Sequence, residues 1–319
     1  MSIQWFPGHM HKARLQIKEA QPRVDLFVEI LDARIPFSSQ NPLLTELRGN
    51  KPCVKVLNKS DLADPELTKT WLDYFNREEG IKAVAVTTTE AKQIRRLGDI
   101  CVDMCAAKQA AGKIITGMIV GIPNVGKSSI INLLAGRKVA RTGNEPAVTK
   151  GQQRIKVDDG FVLLDTPGVM WPNVENRNSG YRLAVTGAIK ETAMDYPDVA
   201  NFLAGFLLEH FPDALMARYE FDEMPEHALQ VLDMLGKKRG CLRKGGIIDY
   251  DRVSSIFVNE LKAAKFGRLT LETPELMEAE LAALKIQQGK TPRTAAAKKK
   301  KKKSQQRDRA AKKKFKRRK

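Results

Sequence analysis

Apolar positions follow two rhythms along this chain, and the change between them falls near Trp171. Upstream, compact apolar runs at residues 24–31, 53–57, 83–87 and 114–120 have the length of buried strands and end in loop-forming residues. Amphipathic stretches at residues 9–21, 65–79, 92–107 and 128–135 predict helices interleaved with them. Runs at 153–157 and 161–164 flank Asp158-Asp159-Gly160, a hairpin turn signal. Strands alternating with helices predict an α/β domain: a mostly parallel sheet with helices on both faces.

Downstream of Trp171 the strand-like runs stop, and a helical period continues through Gln288. Val253, Ile256, Phe257, Glu260, Leu261 and Ala264 share one helical face, with Glu260 its one polar member. Pro197, Pro225 and Pro274 predict helix starts, where a missing N–H costs nothing. The chain thus divides into an α/β domain over residues 1–175, a smaller all-helical domain over 176–289 and a tail over 290–319.

Charge makes the tail distinct. It holds seventeen Lys or Arg against one acid, Asp308, so +16 of the net +18 of the 319 residues lies there, and the body is close to neutral. A segment of this kind cannot bury enough apolar surface to fold, and the expectation is disorder. A polyanion is its natural partner, nucleic acid before an anionic membrane, because neutralised phosphates release condensed counterions; the bland alternative is a solubilising tail. Cys53, Cys101, Cys105 and Cys241 form no CxxC pair and no zinc spacing, which points to reduced thiols in a reducing cytosol. With no apolar run near the length of a membrane span and no signal-peptide pattern, the expectation is a cytoplasmic protein that does not insert in membranes.

Candidate chemistry lies in three motifs. Residues 121–128, Gly-Ile-Pro-Asn-Val-Gly-Lys-Ser, match GxxxxGK[ST] between a predicted strand and a predicted helix. Its backbone N–H groups and helix dipole suit the β-phosphate of a nucleotide; Lys127 suits the β- and γ-phosphates and Ser128 suits Mg²⁺. Asp165-Thr166-Pro167-Gly168 closes the strand that follows. There Asp165 fits Mg²⁺, and the Gly168 N–H fits the γ-phosphate. Thr149, in the polar loop 142–151, is the natural switch residue to close on the metal. Asn58-Lys59-Ser60-Asp61 selects guanine, because Asp61 can accept from the ring N1–H and the exocyclic amine, which adenine cannot supply. Asn58 reaches O6 or ties the site to the phosphate loop, and the Lys59 stem covers the ring. Thr87 and Thr88 follow the next strand, where backbone N–H groups of a second guanine loop belong.

The order of these parts is inverted, since the guanine motif precedes the phosphate loop; this is the arrangement of a circularly permuted GTPase. Val169 follows the DxxG glycine and cannot orient water, so slow intrinsic hydrolysis is expected unless another group positions the nucleophile. His9, within Trp5-Phe6-Pro7-Gly8-His9-Met10, is a candidate, its alternative being a surface or capping histidine.

Together, the opening Trp-Phe-Pro-Gly-His-Met-His-Lys-Ala, the Asp32-Ala33-Arg34-Ile35-Pro36 loop, the guanine motif ahead of Gly-Ile-Pro-Asn-Val-Gly-Lys-Ser-Ser, and DTPG followed by Val169-Met170-Trp171-Pro172 resemble the YlqF/RbgA family, ribosome biogenesis GTPase A, over residues 1 to about 285. The resemblance implies a GTPase that binds the precursor large (50S) ribosomal subunit and rRNA in a nucleotide-dependent way, through its C-terminal helical domain. It implies GTP or GDP with Mg²⁺ as cofactors and no other small-molecule substrate, and a monomer is the expected state. It carries over Asn58, Lys59 and Asp61 to guanine, and Asn124, Val125, Gly126, Lys127, Ser128 and Ser129 to the phosphate loop. Thr149, Asp165 and Gly168 carry over to the γ-phosphate and metal, and His9 to catalysis. Asn124 also matches the asparagine of potassium-stimulated relatives, which implies K⁺. The chain departs from the family in its second guanine loop, where residues 87–93 contain no glycine. Two other readings compete: a constitutive RNA-binding protein whose nucleotide is structural, and a metabolic NTPase, for which no substrate motif is visible. Residues 237–244, with five cations and no acid, are the in-domain candidate for RNA contact, against a solvated loop.

Overall fold

The computed structural model describes residues 8–140, 153–171 and 174–290, with side chains for residues 14–286 of these. It falls into two compact units, Met1–Pro274 and Glu275–Lys319. Within the first, α1 (Gly8–Ala20) leads into β1 (Leu26–Asp32), followed by α2 (Pro42–Arg48), β2 (Cys53–Asn58), α3 (Pro65–Asn76) and β3 (Ile81–Ala85). Then come α4 (Ala91–Asp103), α5 (Ala106–Ala110), β4 (Ile115–Gly121), α6 (Lys127–Leu134), β5 (Gln153–Lys156) and β6 (Phe161–Asp165). The expected hairpin is β5 with β6, and its turn is closed by Asp158, whose carboxylate accepts from the N–H groups of Gly160 and Phe161. The single helix expected over 92–107 is instead two, because the chain turns at Met104 and Cys105.

The six strands pair in the order β3-β2-β1-β4-β6-β5, all parallel except β5. β1 and β2 are buried along their whole length, which explains their largely apolar sequences, and the charged pair within them, Glu29 and Lys55, approaches to 3.8 Å. In this order the guanine-motif strand β2 and the DxxG strand β6 flank the β1–β4 pair, although β2 comes before β4 in the chain. Register aligns Asp32 with Asn58, Ile30 with Gly121 and Ile119 with Asp165, so four strands end together along one edge. Connections run outward in opposite directions from β1 and β4, a topological switch point where open α/β sheets bind ligands.

The helical region comprises α7 (Arg177–Val185), α8 (Tyr196–His210), α9 (Pro212–Tyr219), α10 (Ala228–Lys238) and α11 (Tyr250–Lys262). α8 is its hub, burying Val199, Ala200, Leu203, Ala204 and Leu207 against α7, α10 and α11. Pro197 starts α8 as expected, behind an Asp195 cap. The helix expected at Pro225 begins three residues later, because His227 supplies the cap. Glu260, the polar member of the α11 face, accepts from Arg218, Tyr219 and Arg239 at 2.8–3.0 Å. A carboxylate on an apolar face is thus accounted for by three donors from neighbouring elements. α12 (Pro274–Lys290) starts at the boundary of the second unit. None of the described helices is long and apolar enough to cross a membrane.

Candidate nucleotide site

β4 delivers the phosphate loop and α6 opens directly behind it, with Lys127 as first helical residue. The loop needs unusual backbone geometry: Asn124 sits at φ 60 and Gly126 at φ 94. Asparagine tolerates that region and glycine enters it at no steric cost. At Gly126 there is a second constraint, since a Cβ would collide with Asn58 Nδ2. That amide donates to Val125 O at 2.7 Å, so Asn58 ties the guanine motif to the phosphate loop. Asn124 Nδ2 donates to Gly187 O at 2.8 Å, joining the loop to the end of α7.

Lys127 is buried, and its Nζ approaches the carbonyl oxygens of Ile122 and Gly121 at 3.3 and 3.4 Å. Burial pushes its pKa down to about 8, with Asp165 opposing. Burial likewise pushes Asp165 up to about 6, against the attraction of Lys127. The pocket therefore holds a cation and a carboxylate at electrostatic cost, and a bound phosphate and divalent ion would offset it. Asp165 Oδ1 is buried with no hydrogen-bond partner among the described residues, which fits a Mg²⁺ ligand. No cluster of three or more His, Cys, Asp or Glu that could hold a metal exists among the described residues.

Gly168 lies against the loop: a Cβ there would stand 3.1 Å from Lys127 Nζ and from Pro123 N and Cα. Val169 is buried; its N–H donates to Gly121 O at 3.2 Å and its O accepts from Asn41 Nδ2 at 2.6 Å. Its backbone is thereby tied both to the end of β4 and to Asn41. Ser128 and Ser129, in the first turn of α6, are half-buried.

At the base end, Lys59 adopts a left-handed conformation and its Nζ pairs with Asp32 Oδ2 at 2.8 Å. Asp32 is held in turn by Arg34, whose Nε and Nη2 reach its two oxygens at 2.9 and 2.7 Å. Burial opposes ionisation of Asp32, but Arg34 and Lys59 outweigh it and hold the carboxyl well below the usual carboxylate range. Asp61, half-buried in the 3-10 turn after Lys59, acts electrostatically on both Arg34 and Lys59. The Ser60 N–H donates to Val86 O at 3.2 Å, which sets the guanine motif beside Thr87 and Thr88. The Thr87 N–H is already committed to Gln93 Oε1 at 3.3 Å, whereas Thr88 is exposed and its N–H has no acceptor among the described residues.

Of the expected site residues, Asn58, Lys59, Asp61, Asn124, Val125, Gly126, Lys127, Ser128, Ser129, Asp165 and Gly168 gather along this one edge. Thr149 lies outside the described residues, as does the side chain of His9, although His9 belongs to α1, which is anchored by buried Ile17 and Ala20. The tail from residue 291 is also outside them. Within 237–244 most cations are internally committed. Lys238 donates to Tyr219 O and Glu220 O, Arg239 pairs with Glu260, and Arg243 pairs with Asp249 and Asp251. Lys237 and Lys244 are exposed, without such partners among the described residues. Sequence reasoning missed Asp32 and Arg34 as site residues. The signal was present: an acid and a base two residues apart where the apolar run of a strand ends.

A family described as "50S ribosome-binding GTPase" matches residues 116–200. Ribosome biogenesis GTPase A of Priestia megaterium is 44% identical over 289 residues, covering 88% of this chain and 100% of that protein. The protein of the same name from Thermotoga maritima is 32% identical, covering 86% and 95%. Among solved structures, GNP-bound YlqF from T. maritima superposes with a TM-score of 0.59 at 27% identity, covering 83% of this chain and 99% of that one. A GDP-bound YlqF structure gives 0.60 at 26% identity, covering 82% and 99%.

Proposed function

The chain belongs to the ribosome biogenesis GTPase A family, and from that premise we propose that it is a GTP-hydrolysing assembly factor that binds the precursor 50S subunit and rRNA in a nucleotide-dependent manner. The observation that carries this reading is the Asn58–Val125 hydrogen bond, which joins a guanine reader to a phosphate loop despite their inverted order. In this reading residues 1–175 form the GTPase domain, 176–289 the helical RNA-binding domain and 290–319 a basic tail that adds phosphate contacts, in a monomeric cytoplasmic protein.

Asp61 selects guanine, Lys59 covers the ring, and backbone N–H groups of residues 124–129 surround the phosphates with Lys127. Ser128, Asp165 and Thr149 would hold Mg²⁺, which supplies charge neutralisation at the transferring phosphoryl group. The Gly168 N–H faces the γ-phosphate. Because the Val169 side chain is buried, the attacking water is oriented by another group, His9 in this chain, with the ribosomal particle completing its placement. Asn124 supplies the amide for K⁺.

The γ-phosphate signal leaves at Gly168, and the chain runs from there straight into α7. The test compares GTP hydrolysis with and without large ribosomal subunits, in K⁺ and in Na⁺. Stimulation by subunits, greater in K⁺, is expected; no stimulation would sink the assembly-switch reading. Equal binding of subunits by the GTP and GDP forms would favour a constitutive RNA-binding protein with a structural nucleotide.

A further inference from the structure

After α11 the chain does not end in the helical region. It returns to the sheet as an irregular segment, residues 269–272, in which Leu269, Thr270, Leu271 and Glu272 are all buried. Irregular backbone is normally excluded from an interior because its polar groups go unpaired. Here each residue makes a hydrogen bond to the guanine-reading end.

Leu269 N–H donates to Leu62 O at 3.2 Å, and Thr270 Oγ1 accepts from Asp64 N–H at 3.1 Å. Those two contacts grip the turn immediately after Asp61. Leu271 N–H donates to Arg34 O at 2.8 Å, on the residue that fixes Asp32 and, through it, Lys59. The Glu272 carboxylate accepts from Phe37 N–H at 2.8 Å and Ser38 N–H at 3.1 Å, and its carbonyl accepts from Trp71 Nε1 at 3.0 Å. Arg34 Nη2 also reaches Thr186 O at the end of α7, at 3.4 Å. Among the described residues, the phosphate end of the pocket makes no hydrogen bond of this kind with residues 269–272.

We propose that residues 269–272 belong to the guanine-selectivity apparatus: they position the turn carrying Asp61 and the loop carrying Arg34, so base recognition depends on the helical region being in place. This rests on the reading of Asp61 as the guanine acceptor. Thr270 and Glu272 act through Asp64, Phe37 and Ser38 and are positioning residues. Discrimination by Asp61 requires its two oxygens to meet the ring N1–H and the exocyclic amine at once, which a displacement on the order of 1 Å spoils. The linkage is reciprocal, so a bound guanine base also tightens the helical region against the sheet.

The experiment uses the full-length protein and compares affinities for GDP and IDP, whose bases differ by the exocyclic amine that Asp61 accepts. Pyrophosphate serves as a probe of the phosphate end alone. The wild type should prefer GDP by about tenfold or more, the worth of one charge-assisted hydrogen bond. In Glu272→Gln and Thr270→Val that ratio should fall at least about threefold, while pyrophosphate affinity stays unchanged. A purely structural clasp would weaken GDP and IDP equally. An unchanged ratio in both variants overturns the proposal, and Thr270→Val alone decides if Glu272→Gln does not fold. A wild type indifferent to GDP, IDP and ADP would instead overturn the guanine reading itself.

Discussion

Asn58 Nδ2 donates to Val125 O at 2.7 Å across 67 positions of sequence, so the first residue of the guanine motif is tied directly to the phosphate loop. Asn58→Ala would leave the buried Val125 carbonyl without this partner, at a cost of about 1–3 kcal/mol. GDP affinity should drop about tenfold to a hundredfold by fluorescence titration, and the melting temperature should fall by roughly 2–4 °C for each kcal/mol lost. Gly126→Ala should do the same from the other side, since its Cβ collides with the same amide.

Gly168 tests the switch. A methyl group there would press on Lys127 Nζ and on the Pro123 backbone at 3.1 Å, where only the lysine end can yield. Gly168→Ala should slow GTP hydrolysis at least about tenfold, or ~1.4 kcal/mol of transition-state stabilisation, while GDP binds within about threefold of wild type. Equal losses in both measurements would mean that Gly168 shapes the pocket and does not sense the γ-phosphate.

Lys127 and Asp165 make the fold's stability pH-sensitive in a definite direction. Asp165 titrates near 6 in the folded chain against an ordinary 3.8, so the native state holds more protons and this contribution to stability falls as pH rises from about 4 to 6. Lys127 titrates near 8 against 10.5, so the native state holds fewer protons and stability rises as pH climbs from about 8 to 10.5. Their joint contribution is least between about pH 6 and 8, where both are charged and buried. A phosphate beside Lys127 raises its pKa again, so GDP binding at pH 8 should take up a fraction of a proton. Calorimetry in buffers of different ionisation enthalpy reads this directly, and buffer-independent heats at pH 8 would refute it.

Glu260 joins three elements of the helical region through Arg218, Tyr219 and Arg239. Glu260→Ala should destabilise that region by about 2 kcal/mol, the cost of leaving the Tyr219 hydroxyl and two guanidinium groups without their acceptor. A melting point lowered by roughly 4–8 °C in thermal unfolding is the corresponding readout. Glu260→Gln, which keeps one acceptor oxygen, should recover part of the loss.

The three nucleotide motifs, their inverted order and the switch from strand to helix after Trp171 were legible in the residues alone. These are local properties, set by side-chain period and by spacings of a few positions, and local rules read them. The break of one expected helix at Met104 and the late start of α10 behind His227 mark where a single turn or cap overrode periodicity. What tertiary structure decided is which polar groups meet. Asp32 was visible as a residue at a strand end, but not as the partner of Lys59. Glu272 looks like a surface acid before a helix, yet it is buried and receives backbone N–H groups from 234 and 235 positions away. Such pairings depend on how a parallel sheet and a returning chain are closed in space, and no local pattern encodes a partner at that distance. The inverted motif order names the parts of the nucleotide site; the buried hydrogen bonds of Asn58, Arg34 and Glu272 decide how they are held together.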